Sequence, residues 1–67
     1  MKILIIDQYG NNTKIKDADI IPRIGDSLDI FYDPLPKVTK VVLYPKKERL
    51  KEFKVIGQDI IAIIICK

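Results

Sequence analysis

Residues 60–66 read Ile-Ile-Ala-Ile-Ile-Ile-Cys, a run of seven apolar residues near the end of the chain. The run is rich in β-branched residues, which favours a strand, and it is far shorter than the roughly 20 residues of a membrane helix. Because side chains alternate along a strand, two faces are expected, Ile60, Ala62, Ile64 and Cys66 on one and Ile61, Ile63 and Ile65 on the other. A strand that is apolar on both faces is covered on both, so this one is either central in a sheet or meets a second subunit.

Two further regions upstream have the patterns of strands. Residues 3–6 and 13–16 flank a turn-forming segment that contains Gly and Asn, so residues 2–17 predict a hairpin. Residues 27–33 alternate in a period of two and predict a third strand. Its buried face would carry Leu28, Ile30 and Tyr32, and its other face Ser27, Asp29, Phe31 and Asp33.

The remaining segments complete the expected fold. Residues 38–44 are rich in β-branched residues and predict a strand that ends at Pro45, because proline cannot donate to a sheet ladder. Residues 46–53 predict either one short helical turn, which would dock Leu50 and Phe53, or an irregular hairpin arm. The chain is therefore expected to be a single all-β domain over residues 1–67. Five short strands with turns between them favour a small, partly open barrel of the SH3 or OB type.

Composition excludes several kinds of chemistry. The 67 residues contain no His and one Cys, so there is no imidazole base, no His metal ligand, no internal disulfide and no thiolate zinc site. The lone Cys66 is expected to be a small buried hydrophobe. Asp29 and Asp33 share a face of the predicted third strand, but strand spacing separates them by about 13 Å, too far for one cation. We therefore predict no enzyme activity, no cofactor and no metal.

Location is predicted from signals that the sequence lacks. The apolar start of the chain is interrupted at Asp7 after four residues, whereas the core of a signal peptide needs about 7–15. A single thiol in so small a chain fits a reducing interior. We expect a cytoplasmic protein with no membrane partner.

Residues 21–30, Ile-Pro-Arg-Ile-Gly-Asp-Ser-Leu-Asp-Ile, are followed by Lys-Val-Thr-Lys-Val-Val-Leu-Tyr-Pro at 37–45. This resembles a pattern of small, mostly uncharacterised bacterial and phage-type β-barrel proteins. The pattern is an opening hairpin, an I/V-P-x-I/V-G-D turn, a strand, and a strand that ends in an aromatic residue. The resemblance covers about residues 1–45. It implies a barrel fold and a mobile-element origin, and it implies no catalytic residue.

Charge is distributed unevenly along the chain. Residues 1–33 hold four basic and six acidic side chains, whereas residues 34–67 hold eight basic and three acidic ones. The basic residues of 37–54 are a candidate binding patch for phosphates or acidic proteins: Lys37, Lys40, Lys46, Lys47, Arg49, Lys51 and Lys54. Phe31 or Tyr44 is the candidate aromatic contact that would stack on a base. The alternative is a solvated lysine-rich arm that maintains solubility and protects a sheet edge.

These observations favour a binding or assembly module of phage or mobile-element type over an enzyme. Such a module would act by protein–protein contact or self-association. The candidate self-association strand consists of Ile60, Ile61, Ile63 and Ile65, because a chain of 67 residues has little else with which to cover both faces of that strand. The alternative function is a nucleic-acid-binding barrel that uses the basic segment 37–54.

Overall fold

The chain forms an open mixed sheet with a short helix on one side, in a computed structural model that describes residues 1–9 and 12–67. The elements are, in order, β1 (Lys2–Asp7), β2 (Thr13–Asp17), β3 (Val38–Leu43), α1 (Lys47–Glu52) and β4 (Ile60–Cys66). The four strands lie in the order β2-β1-β4-β3. Strand β4 is parallel to β1 and antiparallel to β3, and β1 is antiparallel to β2.

The predicted hairpin of residues 2–17 is confirmed. Its register runs from Lys2 opposite Asp17 to Ile6 opposite Thr13. Strand β1 is buried from its second residue onward, because β4 flanks it on the other side, whereas every residue of β2 is exposed. The turn predicted between these strands includes residues 10 and 11, which lie outside the described residues.

Strand β4 is central, and both of its faces are covered within one copy of the chain. One face, here called the coil face, packs under residues 18–37, and the other, the helix face, packs under α1 and the residues that follow it. The coil-face core consists of Ile3, Ile5, Val38, Ala62, Ile64 and Cys66. The helix-face core consists of Leu4, Ile6, Leu50, Ile60 and Ile63.

The expected alternation of β4 is wrong at its first two residues. Lys2 pairs with Ile60, but the next residue of β1, Ile3, pairs with Ala62. Ile61 is therefore the extra residue of a β-bulge, which shifts the side-chain alternation by one position. As a result Ile60 lies on the helix face with Ile63, and Ile61 packs against the coil-face core.

The predicted strand at residues 27–33 is wrong. The Ile30 N–H donates to the Leu28 carbonyl at 2.9 Å, and the Tyr32 N–H donates to the Ile30 carbonyl at 2.8 Å. These bonds between residues two apart close two tight γ-turns. The turn centred on Phe31, which has a φ of 67°, is of the rarer form with a positive φ at its centre. Leu28 and Ile30 still pack against the coil face, so the alternation reflected burial and not strand pairing.

The five-stranded barrel is therefore not confirmed. The described residues form four strands, and β2 and β3 lie at opposite edges of the sheet, so the sheet is not closed. What holds of the fold prediction is a small, compact and mostly β structure.

The segment 46–53, for which the sequence left two alternatives, is a helix. It spans the six residues Lys47–Glu52, of which Leu50 is buried. A helix of six residues is not stable by itself, so its stability comes from packing. Leu50 packs among Leu4, Ile6 and Ile63, and Phe53 packs against the same cluster, which closes the helix face of the sheet.

Candidate binding surfaces

The outer edge of β3 carries backbone groups with no partner in the chain. The Tyr44 N–H donates to the Ile61 carbonyl at 2.7 Å, so Tyr44 points its backbone toward β4. Because alternate residues of an antiparallel strand bond to the same neighbour, Val42 also points toward β4. Val41 and Leu43 then point their N–H and C=O groups away from it. Within the described residues, no other segment bonds to these groups.

The beginning of the same edge is closed by a turn. The Val38 N–H donates to the Asp26 carbonyl at 2.9 Å, and the Gly25 N–H donates to the Val38 carbonyl at 2.9 Å. The Asp26 carboxylate accepts a 2.8 Å hydrogen bond from the Arg23 N–H, and Gly25 has a φ of +96° that other residues rarely adopt. The Pro-x-x-Gly-Asp motif is thus a turn that caps the first residue of β3 and leaves Val41–Leu43 open.

An apolar hollow lies beside the open part of the edge, on the coil face. It has a volume of about 540 Å³ and is lined by Ile21, Pro22, Arg23, Ile24, Val41 and Leu43. Ile24, at the tip of the turn, is 70% exposed, and Leu43 is 54% exposed. Exposed apolar side chains that cluster together mark interaction sites more often than isolated ones do. The open edge of Val41–Leu43 and this hollow are together called the β3 edge site.

The basic segment does not form a single rim. All seven candidate residues are exposed. However, α1 divides them into two groups. On one side of the helix, Lys47 and Lys51 line a hollow with Ile56 and Asp59. On the other side Lys46 and Arg49 line a hollow together with Tyr44, Glu48 and Glu52.

Three members of the basic set lie at other positions. Lys37 exchanges two backbone hydrogen bonds with Lys67 at the start of β3. Lys40 lies on β3 directly after a register shift and pairs with Ile65. Lys54 follows α1 with a positive φ of 61°. The seven cations are therefore spread over two elements and the two sides of a helix, and carboxylates interrupt them.

The two candidate aromatic residues are in different environments. Phe31 is half-buried and packs against the coil-face core, so its ring is not free to stack on a base. Tyr44 is 79% exposed and shares its hollow with Lys46 and Arg49. Only Tyr44 has the exposure that the aromatic contact requires.

The candidate self-association strand is largely internal. Ile60 and Ile63 are buried and Ile61 and Ile65 are half-buried, all within β4 at the centre of the sheet. The sequence assigned a partner to these residues because a small chain was expected to leave one face uncovered. Residues 18–37 and 44–59 cover both faces, so that reason no longer applies.

A polar cluster lies where β1 and β4 end side by side. The buried carboxylate of Asp7 accepts hydrogen bonds from the Tyr9 N–H at 3.1 Å, the Tyr32 hydroxyl at 3.2 Å and the Asn12 side chain at 3.3 Å. Partial burial and the Asp7 charge raise the pKa of Tyr32. Burial, with a smaller contribution from Asp7, raises the pKa of the Cys66 thiol, which donates to the Ile6 carbonyl. The cluster fixes the coil to the sheet through Tyr32.

Local sequence patterns do not predict the β3 edge site. They indicate only an ordinary strand at Val41–Leu43 and a turn around Ile24. The available signal was the apolar Ile20, Ile21 and Ile24 around a turn motif, which is unusual because turn residues are mostly polar.

Across residues 1–9 and 12–67, no group of three or more acidic or thiol side chains is placed to hold a metal ion. Within that same part of the chain, no helix has the length and apolar character needed to cross a membrane. Comparison with known proteins finds no family model, no curated protein and no solved structure that matches this chain.

Proposed function

We propose that this chain is a non-enzymatic binding module that acts by protein–protein contact through the β3 edge site. The observation that supports the proposal is the coincidence of open backbone groups at Val41 and Leu43 with the exposed side chains of Ile24 and Leu43. The likeness of residues 1–45 to phage-type proteins is compatible with a module of phage or mobile-element type.

The two parts of the site would act together in recognising a partner. An extended segment that adds to a sheet edge gains main-chain hydrogen bonds, and these supply affinity for any sequence. Every second side chain of that segment would project over the coil face, where the hollow would select apolar residues. Affinity from main-chain hydrogen bonds and specificity from side-chain pockets are the usual features of β-strand addition.

A variant at Leu43 tests the proposal. Tagged wild-type chain and a Leu43→Lys variant would be used to capture partners, which mass spectrometry would identify. The matched control is Ile56→Lys, because Ile56 is 76% exposed and lies in the hollow on the other side of the molecule. We expect the partner to be lost with Leu43→Lys and kept with Ile56→Lys. A partner that binds the Leu43→Lys variant as well as wild type would contradict the proposal.

The alternative function is nucleic-acid binding, and one observation favours it. Tyr44 is exposed beside Lys46 and Arg49, and an aromatic ring between cations is the arrangement on which single-stranded bases stack. Glu48 and Glu52 line the same hollow and weaken its attraction for phosphate.

A binding assay with single-stranded oligonucleotides distinguishes the alternative. Under it, affinity falls steeply with salt and is lost in a Tyr44→Ala variant and when Lys46 and Arg49 become Glu. The control variant changes Lys47 and Lys51 to Glu, because these residues lie on the other side of α1. No binding at low salt would exclude this function.

A further inference from the structure

We propose that the segment that adds to the β3 edge site is the β3 strand of a second copy of this chain. The two strands pair antiparallel about a two-fold axis that passes beside Val42, so that two sheets of four strands become one continuous sheet. This inference rests on the proposed function, because it names the occupant of the same site.

The open backbone groups select one register for this pairing. Each copy offers the N–H and C=O groups of Val41 and Leu43, and an antiparallel pair bonds them all when Val41 lies opposite Leu43 of the second copy. Moving the axis to Leu43 would place Val41 opposite Pro45, which has no N–H to donate. Moving the axis to Val41 would place Leu43 opposite Thr39, where the register shift of β3 interrupts the strand.

The selected register also matches side chains on the coil face. Val41 packs against the coil-face core, and Leu43, two residues along, lies on the same face. Leu43 would therefore lie beside Val41 of the second copy, twice in the dimer. The exposed Ile24 flanks this contact in each copy, so the two hollows adjoin and cover each other.

Charges on the helix face do not oppose this arrangement. Lys40 is the only charged residue of 40–44, and the register places it opposite Tyr44 of the second copy. The hollow around Tyr44 holds Glu48 and Glu52 together with Lys46 and Arg49, so each Lys40 approaches a charge-balanced set of side chains of the other copy. No like charges lie directly opposite each other, which is the arrangement that destabilises strand pairs. The single register that bonds all the open backbone groups, the Leu43–Val41 contact that it repeats and the absence of opposed like charges favour a second copy over an unrelated partner.

A single cysteine variant tests the register. Val42 would lie opposite its own counterpart in a non-hydrogen-bonded pair, where the Cβ atoms are about 4.5–5.5 Å apart. We expect Val42→Cys to form a disulfide-linked dimer under mild oxidation at micromolar concentration, with conversion at least tenfold faster than in the controls. Cys66 does not compete, because it is fully buried.

The controls are Lys40→Cys and Tyr44→Cys. Both positions are more exposed than Val42, so random collisions would oxidise them faster. In the proposed dimer each lies about 13 Å from its own counterpart, because four residues of strand separate them. Equal or faster cross-linking of either control would overturn the register.

Sedimentation and amide exchange of the unmodified chain test the dimer without depending on whether Val42→Cys folds. Sedimentation over a dilution series is expected to show a dimer that dissociates, and amide exchange at Val41 and Leu43 is expected to slow as concentration rises. A monomer at every concentration, with exchange at both amides unchanged, would overturn the second copy as occupant. In that case the capture experiment with Leu43→Lys still decides the proposed function, since it detects any other protein at the same site.

Discussion

The two edges of this sheet, β2 and β3, are built differently. Strand β2 reads Thr-Lys-Ile-Lys-Asp and is exposed along its whole length. Its two lysines, Lys14 and Lys16, both lie on the coil face. Strand β3 reads Val-Thr-Lys-Val-Val-Leu, with the charge at Lys40 and an apolar second half. Lysines on an edge prevent another strand from adding to it. The comparison indicates that one edge is protected and the other is available.

The difference extends to the segments around each edge. Strand β2 ends at an ion pair, since the amino group of Met1 lies 2.9 Å from the Asp17 carboxylate. Strand β3 is closed by the Gly25–Asp26 turn at its start and flanked by the exposed Ile24 at its open half. Residues outside the two strands therefore contribute both to the protection of the β2 edge and to the availability of the β3 edge.

The largest expected effect comes from giving β3 the character of β2. We expect Leu43→Lys to raise the dissociation constant of the proposed dimer roughly a hundredfold. The two-fold axis repeats the loss of an apolar contact worth about 1.5 kcal/mol. Sedimentation equilibrium measures it. The control is Ile15→Lys on β2, which should leave the dissociation constant unchanged. A comparable loss of affinity with that variant would show that association does not depend specifically on β3.

Stability is expected to depend on β3 far more than on β2. Val38 is buried in the coil-face core, so Val38→Ala should lower the free energy of unfolding by about 2 kcal/mol. Ile15 on β2 keeps 38% of its surface exposed and belongs to neither core, so Ile15→Ala should lower the free energy of unfolding by about 1 kcal/mol at most. Urea unfolding monitored by circular dichroism gives both values. Equal effects would contradict the view of β2 as a peripheral strand.

The converse exchange gives β2 the character of β3. Replacing Lys14 and Lys16 by Val removes the charges that protect the β2 edge. We expect assemblies larger than a dimer to appear at high micromolar concentration, because each copy then has two open edges. Light scattering detects them, and a Lys14→Gln, Lys16→Arg variant that keeps the edge polar is the control. If the Val variant stays the size of wild type, edge charge is not what protects β2.

The smallest expected effect concerns the ion pair at the end of β2. The hydrogen bond and charge of the Met1 amino group hold the pKa of Asp17 below its ordinary value. The folded chain therefore binds a proton at Asp17 less readily than the unfolded chain does. This stabilisation is present above the unfolded pKa of Asp and is lost as the pH falls through the folded one.

Comparing urea midpoints between pH 2 and pH 6 checks this prediction. Part of the acid-induced loss of stability should disappear in Asp17→Asn, and the change should be slight because the pair is exposed. Asp19→Asn is the control, since it removes a nearby carboxylate that makes no such contact. An Asp17→Asn profile that coincides with wild type would show that the ion pair is not maintained in solution.

Local sequence patterns predicted the strands correctly where an apolar or alternating run also pairs with a neighbouring strand. The β-branched runs and the turn between them identified β1, β2, β3 and β4 to within one or two residues. The prediction failed at residues 27–33, where the period-two alternation came from γ-turns that place the half-buried Leu28 and Ile30 against the coil face. It also failed at Ile61, because a bulge depends on the register of two distant strands.

The candidate site was predicted less well, for the same reason. Tyr44 was identified and is exposed, but Phe31 was placed on the outer face of a strand that does not form. The basic residues were identified, but their division by α1 depends on the direction in which the helix packs. The β3 edge site was absent from the prediction, because Ile24 and Leu43 are 19 positions apart and meet only through the turn at Gly25.

From the sequence alone it follows that the chain is mostly β, that residues 60–66 are covered on both faces, and that the chain carries no His and a single Cys. These are properties of composition and of short-range alternation, which the chain carries before it folds. Tertiary structure decided which strand lies at an edge, where the ladder shifts and which apolar side chains stay exposed. Those outcomes depend on pairing between residues far apart in sequence, and no local pattern records which partner a strand will find.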